Sequence, residues 1–352
     1  MKRIMIALIT MALLLSVFAS CSRKSGQVLY IFNWTDYIDP DLVKEFEELH
    51  NCRIIYSTYG SNEDMLTKIV SSRESFDLVF PSGDHVSIMK EKGLLEPLDR
   101  SKLSNYANIN PLVLKKAGAF DPGNEYGVPY FWGLTGLIYN KTHVPESLIA
   151  PQSWDLIGNS FFSGKNKITM LDDAREVVGA ALIYNGYGVN DTSAEAMAAT
   201  DRTLMAWDRN ITQFDSDSYK NEVADGTTWL AQAYNGDALQ QMEMHEHIGF
   251  YLPKEGASLW VDSIVMLKTS RNKELAYKFI DFLLQTENAL RNAEYTQFAT
   301  PVLTAFELLD EEIRENRLIY PEDAYLDKCY AIEALGDRVR VIDALFEKIK
   351  LN

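Results

Sequence analysis

VLYIFNWTDYIDPDLVKEFEELHNCRIIYSTYGSNEDMLTKIVSSRESFDLVFPSGD, residues 28–84, decides the fold. Residues 28–32 form a continuous apolar run, the pattern of a strand covered on both faces. Asp39-Pro40 then supplies a cap and a first-turn proline, and Leu42, Val43, Phe46 and Leu49 recur at helical spacing. Residues 53–58 return to β-branched and aromatic residues. Ser61 or Asn62 can cap a second helix carrying Met65, Leu66, Ile69 and Val70. Residues 76–80 make a third strand, closed by Pro81-Ser82-Gly83. Such alternation implies parallel strands with helices on both faces. Ligands of these sheets sit beyond the carboxyl ends of the strands. The segments Trp34-Thr35-Asp36-Tyr37, Tyr59-Gly60 and Ser82-Gly83-Asp84 all fall there, so three loops are expected at one crevice. The first crowds two rings, a hydroxyl and a carboxylate into four residues.

Outward from this stretch, the 352 residues suffice for two domains. Residues 126–140 are rich in glycine and aromatics and read as a strand leaving the first domain. Residues 154–188 and 194–250 alternate again, as a second α/β unit would. Residues 259–267 read as a strand and 274–284 as an amphipathic helix. Acidic helical segments finish the chain. At 47% hydrophobic residues the chain can bury a substantial core. At the N-terminus, Lys2 and Arg3 precede an apolar run to Phe18, too short for a bilayer span and suited to a signal peptide over 1–20. Ala19-Ser20-Cys21 resembles a bacterial lipoprotein signal, with Phe18 where leucine is usual. Cys21 is then expected to carry lipid and 21–26 to form a tether, leaving the protein in the periplasm or at the cell surface. Cleavage without lipid is the alternative. The net charge of −16 becomes −18 without residues 1–20, which carry two positive charges and no negative ones. That balance argues against nucleic acid and leaves a solvated acidic surface or attraction for cations. Cys52 and Cys329 could pair or stay free.

Four clusters carry candidate chemistry. Trp260 and Asp262 lie two apart on a strand and share a face, an uneconomical core choice unless the carboxylate has a partner. Asp173 and Glu176 have the spacing of a capping box, with Asp172 beside them. Tyr234-Asn235-Gly236-Asp237 reads as a turn. On a strand, Glu243, His245 and His247 would share a face, but the H-E-x-x-H pattern is missing and no metal site is assigned. G-x-S-x-G, the P-loop and G-x-G-x-x-G are missing too. An acid pair hydrolysing glycosides is the enzymatic alternative. A receptor for a metal or a sugar is another.

The runs LYIFNWTDYIDPDLVKEFEE, IIYSTYGSNEDMLTKI, FDLVFPSGD, LDDAREV, PKEGASLWVDSI and YPEDA, in order from Leu29 to Asp323, resemble the extracytoplasmic spermidine/putrescine-binding proteins of ABC importers. The resemblance implies a two-lobed α/β fold of the type II periplasmic-binding-protein kind. Each lobe would be a mostly parallel sheet flanked by helices, joined by crossover hinge segments. It places 27–137 with 258–302 in lobe 1 and 138–257 with 303–352 in lobe 2. It implies capture of putrescine or spermidine between the lobes, delivery to an ABC permease, no catalysis and no cofactor. The implied ligand positions are Trp34, Thr35, Asp36, Tyr37, Ser82, Asp173, Glu176, Trp260 and Asp262. Tyr234 stands where tryptophan is usual, Phe298 where tyrosine is usual, and Asp84 where an aromatic or small residue is usual. Asp237 matches the putrescine-preferring branch, and with Asp36 it points to putrescine. Glu333 is the candidate for a polar contact near the C-terminus. The chemistry fits: carboxylates match protonated amines, and ring faces bind both methylenes and ammonium groups, the latter by about 0.5–2 kcal/mol. No lysine falls among these positions, and one would be a poor neighbour there.

Overall fold

The alternation read from residues 28–84 builds one half of the molecule. A computed structural model describes residues 27–71 and 75–351; the signal-peptide, tether and Cys21 expectations lie outside the described residues. Strands β1 (Val28–Trp34), β2 (Arg53–Tyr59) and β3 (Leu78–Val79) are parallel, with β1 in the middle. Helix Pro40–His50 begins at Asp39, whose side chain accepts from Asp41 N, and ends at Asn51 in the left-handed region (φ 44°). It buries Leu42 and Phe46, each such side chain contributing about 1.5–3 kcal/mol. The β3 ladder is shorter than expected, and Asp77 just before it ties β1 to the segment at Ser270-Arg271. Its carboxylate accepts from Tyr30 N, Ser270 Oγ and Arg271 N.

Seven more strands follow: β4 (Gly127–Asn140), β5 (Ile168–Met170), β6 (Ile211–Phe214), β7 (Leu230–Tyr234), β8 (Ile248–Tyr251), β9 (Ser258–Met266) and β10 (Tyr330–Ala331). The order is β2-β1-β3-β9-β4-β7-β5-β6, with β10 on β9 and β8 on β4. The outer pairs β1–β2 and β5–β6 are parallel, whereas β9 runs antiparallel to both β3 and β4. The fold is α/β and two-lobed. The glycine-rich strand β4 belongs to both halves. Its first part, up to Leu134, pairs with β9, and from Thr135 onward it pairs with β7 and β8. Gly133 sits at this crossing, where a Cβ would stand 2.4 Å from the Trp260 indole.

One core gathers Ile31, Phe46, Phe131, Phe279 and Phe282, and another gathers Trp154, Val177, Leu182 and Trp207. The chain after residue 302 divides between the halves. Ala305 and Leu309 pack in the first core, while Ile342, Phe346 and Ile349 of helix Val339–Lys350 pack in the second. Cys52 and Cys329 are both free thiols. The expected strand face of Glu243, His245 and His247 does not form: helix Asn235–Met244 contains Glu243 and stops at His245. Among the described residues no group of three or more His, Cys, Asp or Glu is placed to hold a metal ion.

Candidate functional site

The carboxyl end of β1 opens the site. Asn33 fixes the turn, accepting from Trp34 N at 2.8 Å and donating to Tyr56 Oη. Trp34 then reaches across the sheet, its indole N–H donating to Phe80 O at 2.8 Å, with its ring centroid 4.6 Å from that of Tyr59. Asp36 takes a left-handed conformation (φ 53°), which aspartate tolerates better than most residues. Tyr37 points the other way into a nest of Tyr130, Phe131 and Phe298 rings and donates to Asp262 Oδ2 at 2.8 Å. Ser82, ahead of helix Gly83–Glu91, is gripped by Asn62: Asn62 Nδ2 donates to Ser82 Oγ, and Ser82 N donates to Asn62 Oδ1. Ser82 also pairs with Asp262 in a one-residue antiparallel bridge. Strand alternation puts Trp260 on the same face as Asp262. Its ring meets Tyr234 and Phe298 edge-on, with centroids 5.7 and 5.3 Å away.

The other wall comes from the second half. Asp173 caps helix Ala174–Tyr184, accepting from Arg175 N at 2.8 Å and Glu176 N at 3.1 Å, and it also faces the cavity. The capping-box reading therefore holds for its first member only. Glu176 does not reach back to the cap; its carboxylate accepts from Ser258 Oγ on β9. Tyr234-Asn235-Gly236-Asp237, read as a turn, instead opens helix Asn235–Met244 directly after β7. Gly236 is required there, because a Cβ would lie 2.4 Å from the Phe298 ring.

Between these walls lies a cleft of about 1010 Å³, its mouth included. Trp34, Thr35, Tyr37, Ser82, Asp84, Asp173, Glu176, Tyr234, Asp237, Trp260, Asp262 and Phe298 line it. Asp36 joins them through Lys220, whose Nζ lies 3.3 Å from Asp36 Oδ2 and 3.1 Å from Asp237 Oδ1. Lys220 corrects the expectation of a lysine-free cleft. Its neighbourhood, Ser218-Tyr219-Lys220-Asn221, carries no periodicity or motif that could have revealed it. His85, Glu63, Asn62, Arg175 and the exposed Lys116 also face the cleft and were missed by sequence reasoning. Glu333 is exposed and does not line the cavity. Its backbone takes part instead, the carbonyl accepting from Arg175 Nη1 at 2.7 Å and the N–H donating to Asn190 Oδ1 at 3.1 Å.

The electrostatics separate the acids. Burial would push the Asp84 carboxyl up, but His85 beside it, with Nδ1 3.3 Å from Oδ1, outweighs that and holds it below the usual range. Burial in turn works against His85 protonation, and Asp84 overcomes it, lifting the imidazole to about 8. Asp262 has no such neighbour. Burial lifts its carboxyl to about 7, although the Tyr37 hydroxyl partly offsets the rise. Asp173 and Glu176 also stand above the usual carboxylate range. Burial is the first cause in both, followed by the Asp84 charge for Asp173 and the Asp173 charge for Glu176. Asp262 Oδ1 and Trp260 Nε1 are buried without a hydrogen-bond partner. A cleft with ring walls and carboxyls held short of cations is suited to a small, mostly apolar cation.

Two sheets sharing a crossing strand, with the candidate site between them, define a ligand-binding protein of the two-lobed periplasmic class. The chain matches the family of bacterial extracellular solute-binding proteins over residues 41–319, and it belongs to that family. It is 33% identical over 333 residues, 94% of each chain, to the spermidine/putrescine-binding periplasmic protein of Salmonella typhimurium. Among solved structures, it resembles the spermidine/putrescine ABC transporter substrate-binding protein PotD of Streptococcus pneumoniae (37% identity, TM-score 0.78, 93% of this chain and 99% of that one). It also resembles the TpPotD lipoprotein of Treponema pallidum (32% identity, TM-score 0.80, 93% and 100%).

Proposed function

We propose that the protein is the polyamine receptor of an ABC importer, capturing a short alkyl diamine between its lobes and handing it unchanged to the permease. The observation that carries this reading is the set of cleft carboxyls, the buried Glu176 and Asp262 and the half-buried Asp173, that stand above their usual range amid Trp34, Tyr37, Trp260 and Phe298. An ammonium group supplies the charge they lack. The methylenes between two ammoniums find ring faces instead of water. The relatives' names, which specify spermidine and putrescine, support the same reading. The ligand-contacting set is Trp34, Thr35, Tyr37, Ser82, Asp84, Asp173, Glu176, Tyr234, Trp260, Asp262 and Phe298, with Asp36 and Asp237 at the Lys220 side. Lobe 1 comprises about 27–134, 258–302 and the segment to Cys329. Lobe 2 comprises 135–257 and the C-terminal helix. This moves the last crossover from 303 to the β10 region, following the cores that Ala305 and Ile342 join.

We also propose an extracytoplasmic location with acylated Cys21 as the anchor, supported by Ala19-Ser20-Cys21 and by the Treponema relative's description as a lipoprotein. Titration calorimetry with putrescine, cadaverine and spermidine tests the receptor. Saturable binding of at least one is expected, together with a rise in melting temperature that a sugar panel does not give. Absence of heat with all three defeats the reading. Mass spectrometry of the membrane fraction tests the anchor, and an unmodified chain beginning elsewhere would reject it.

A further inference from the structure

Lys220 has no place in the amine chemistry just described, yet it is built into the site. Its side chain is 6% exposed, and its Nζ bridges Asp36 from one half and Asp237 from the other. Both carboxylate oxygens of Asp237 are already engaged: Oδ1 takes Lys220 and Oδ2 takes the Tyr219 hydroxyl at 2.8 Å. The lysine head is a primary ammonium on four methylenes, the same chemistry as one end of an alkyl diamine. We infer that Lys220 is a tethered substitute for one ligand amine, filling the Asp36–Asp237 subsite and restricting the cleft to two-amine ligands over three-amine ones.

This rests on the polyamine reading and deepens it. Asp36 and Asp237, which pointed to putrescine as direct partners of its amines, now favour it by a different route: they are occupied from within. A third ammonium brought to them would meet the charge of the buried Lys220, and like charges repel. Of the remaining acids, Asp84 has His85 beside it, whereas Asp173, Glu176 and Asp262 have no lysine partner. Glu176 and Asp262 are held by hydroxyls, and Asp173 by backbone N–H groups. Arg175 lines the cleft, but its guanidinium is already engaged, donating to Glu333 O and Asn190 Oδ1. Two ammonium groups can therefore be matched on this side without displacing any protein cation. The clamp also joins the two halves, since Asp36 and Lys220 come from different ones.

Calorimetric titration of the wild-type protein and of Lys220→Met with putrescine and spermidine tests the inference. Lys220→Gln, which keeps a polar head, serves if the methionine variant does not fold, as judged by circular dichroism and melting. The wild type is expected to prefer putrescine by about tenfold or more, and loss of the lysine charge to shift the ratio toward spermidine by about tenfold. Wild-type protein that takes spermidine as tightly as putrescine overturns the inference while leaving the receptor reading intact. So does a folded variant with an unchanged ratio. Wild-type protein that binds neither amine removes the receptor reading and the inference with it.

Discussion

The Asp36–Lys220–Asp237 side of the cleft and the Asp173–Glu176–Asp262 side hold similar acids in opposite states. On the first side, a lysine from the protein has already matched the carboxylates. On the second, burial outweighs every nearby positive charge and no lysine is paired with the acids, so the carboxyls sit above their usual range. Counting carboxylates therefore does not count ligand amines. What matters is which acids the fold leaves without a cation. In the proposed reading, an acid with its own ammonium belongs to the scaffold, and an acid without one receives the ligand.

The largest test of this contrast is Asp262→Asn. It strands a ligand ammonium in a buried site, and losing one partner of such a pair costs about 2–5 kcal/mol. Calorimetry should show polyamine affinity falling by two orders of magnitude or more, with melting of the free protein little changed. Unchanged affinity would place Asp262 outside the receptor side. The pH dependence comes next. A carboxyl raised in the free fold must ionise to meet an ammonium, so binding releases protons and affinity rises from pH 5.5 toward pH 8 by about tenfold per proton released per pH unit. Calorimetry in buffers of different ionisation enthalpy near pH 6.5 counts those protons, and none released would remove the contrast between the sides. The sign for stability is opposite. A raised folded-state carboxyl favours the free fold at low pH, an advantage lost as pH rises from the ordinary carboxylate range through about 7 for Asp262. The free protein should then melt lower at pH 8 than at pH 5.5, and saturating polyamine should flatten that trend.

Smaller effects sharpen the picture. Gly236→Ala drives a methyl into the Phe298 ring, and overpacking of this kind costs about 1–3 kcal/mol. A lower melting temperature together with weaker polyamine binding is expected, because Phe298 also packs on Trp260 and Tyr37. Tyr37→Phe is the mildest. It removes the hydrogen bond to Asp262 Oδ2, worth about 1 kcal/mol. It should move the pH midpoint of binding upward, since the ionised carboxylate loses a donor. A midpoint that stays put would mean the hydroxyl does not tune Asp262.

Much of this was legible in the chain. The strand–helix alternation of residues 28–84 and the placing of Trp34, Ser82 and Asp84 after strands predicted one crevice, and the two-residue spacing of Trp260 and Asp262 predicted a shared face. Local patterns failed where one residue pair serves two structures. Asn235-Gly236 has turn chemistry but opens a helix, its glycine chosen by the Phe298 ring rather than by a bend. Asp173 is both a cap and a cavity wall.

Periodicity and cap chemistry are local, so the sequence by itself determined the α/β elements, the crevice at the strand ends and the aromatic and acidic kinds of residue gathered there. Which carboxylate meets which cation is a matter of approach between segments far apart in the chain. Only the tertiary structure decided that Lys220 would close the Asp36–Asp237 side and that Asp173, Glu176 and Asp262 would stay open. Coulomb energies in a buried cleft depend on a few ångströms of separation, and no linear pattern records those distances.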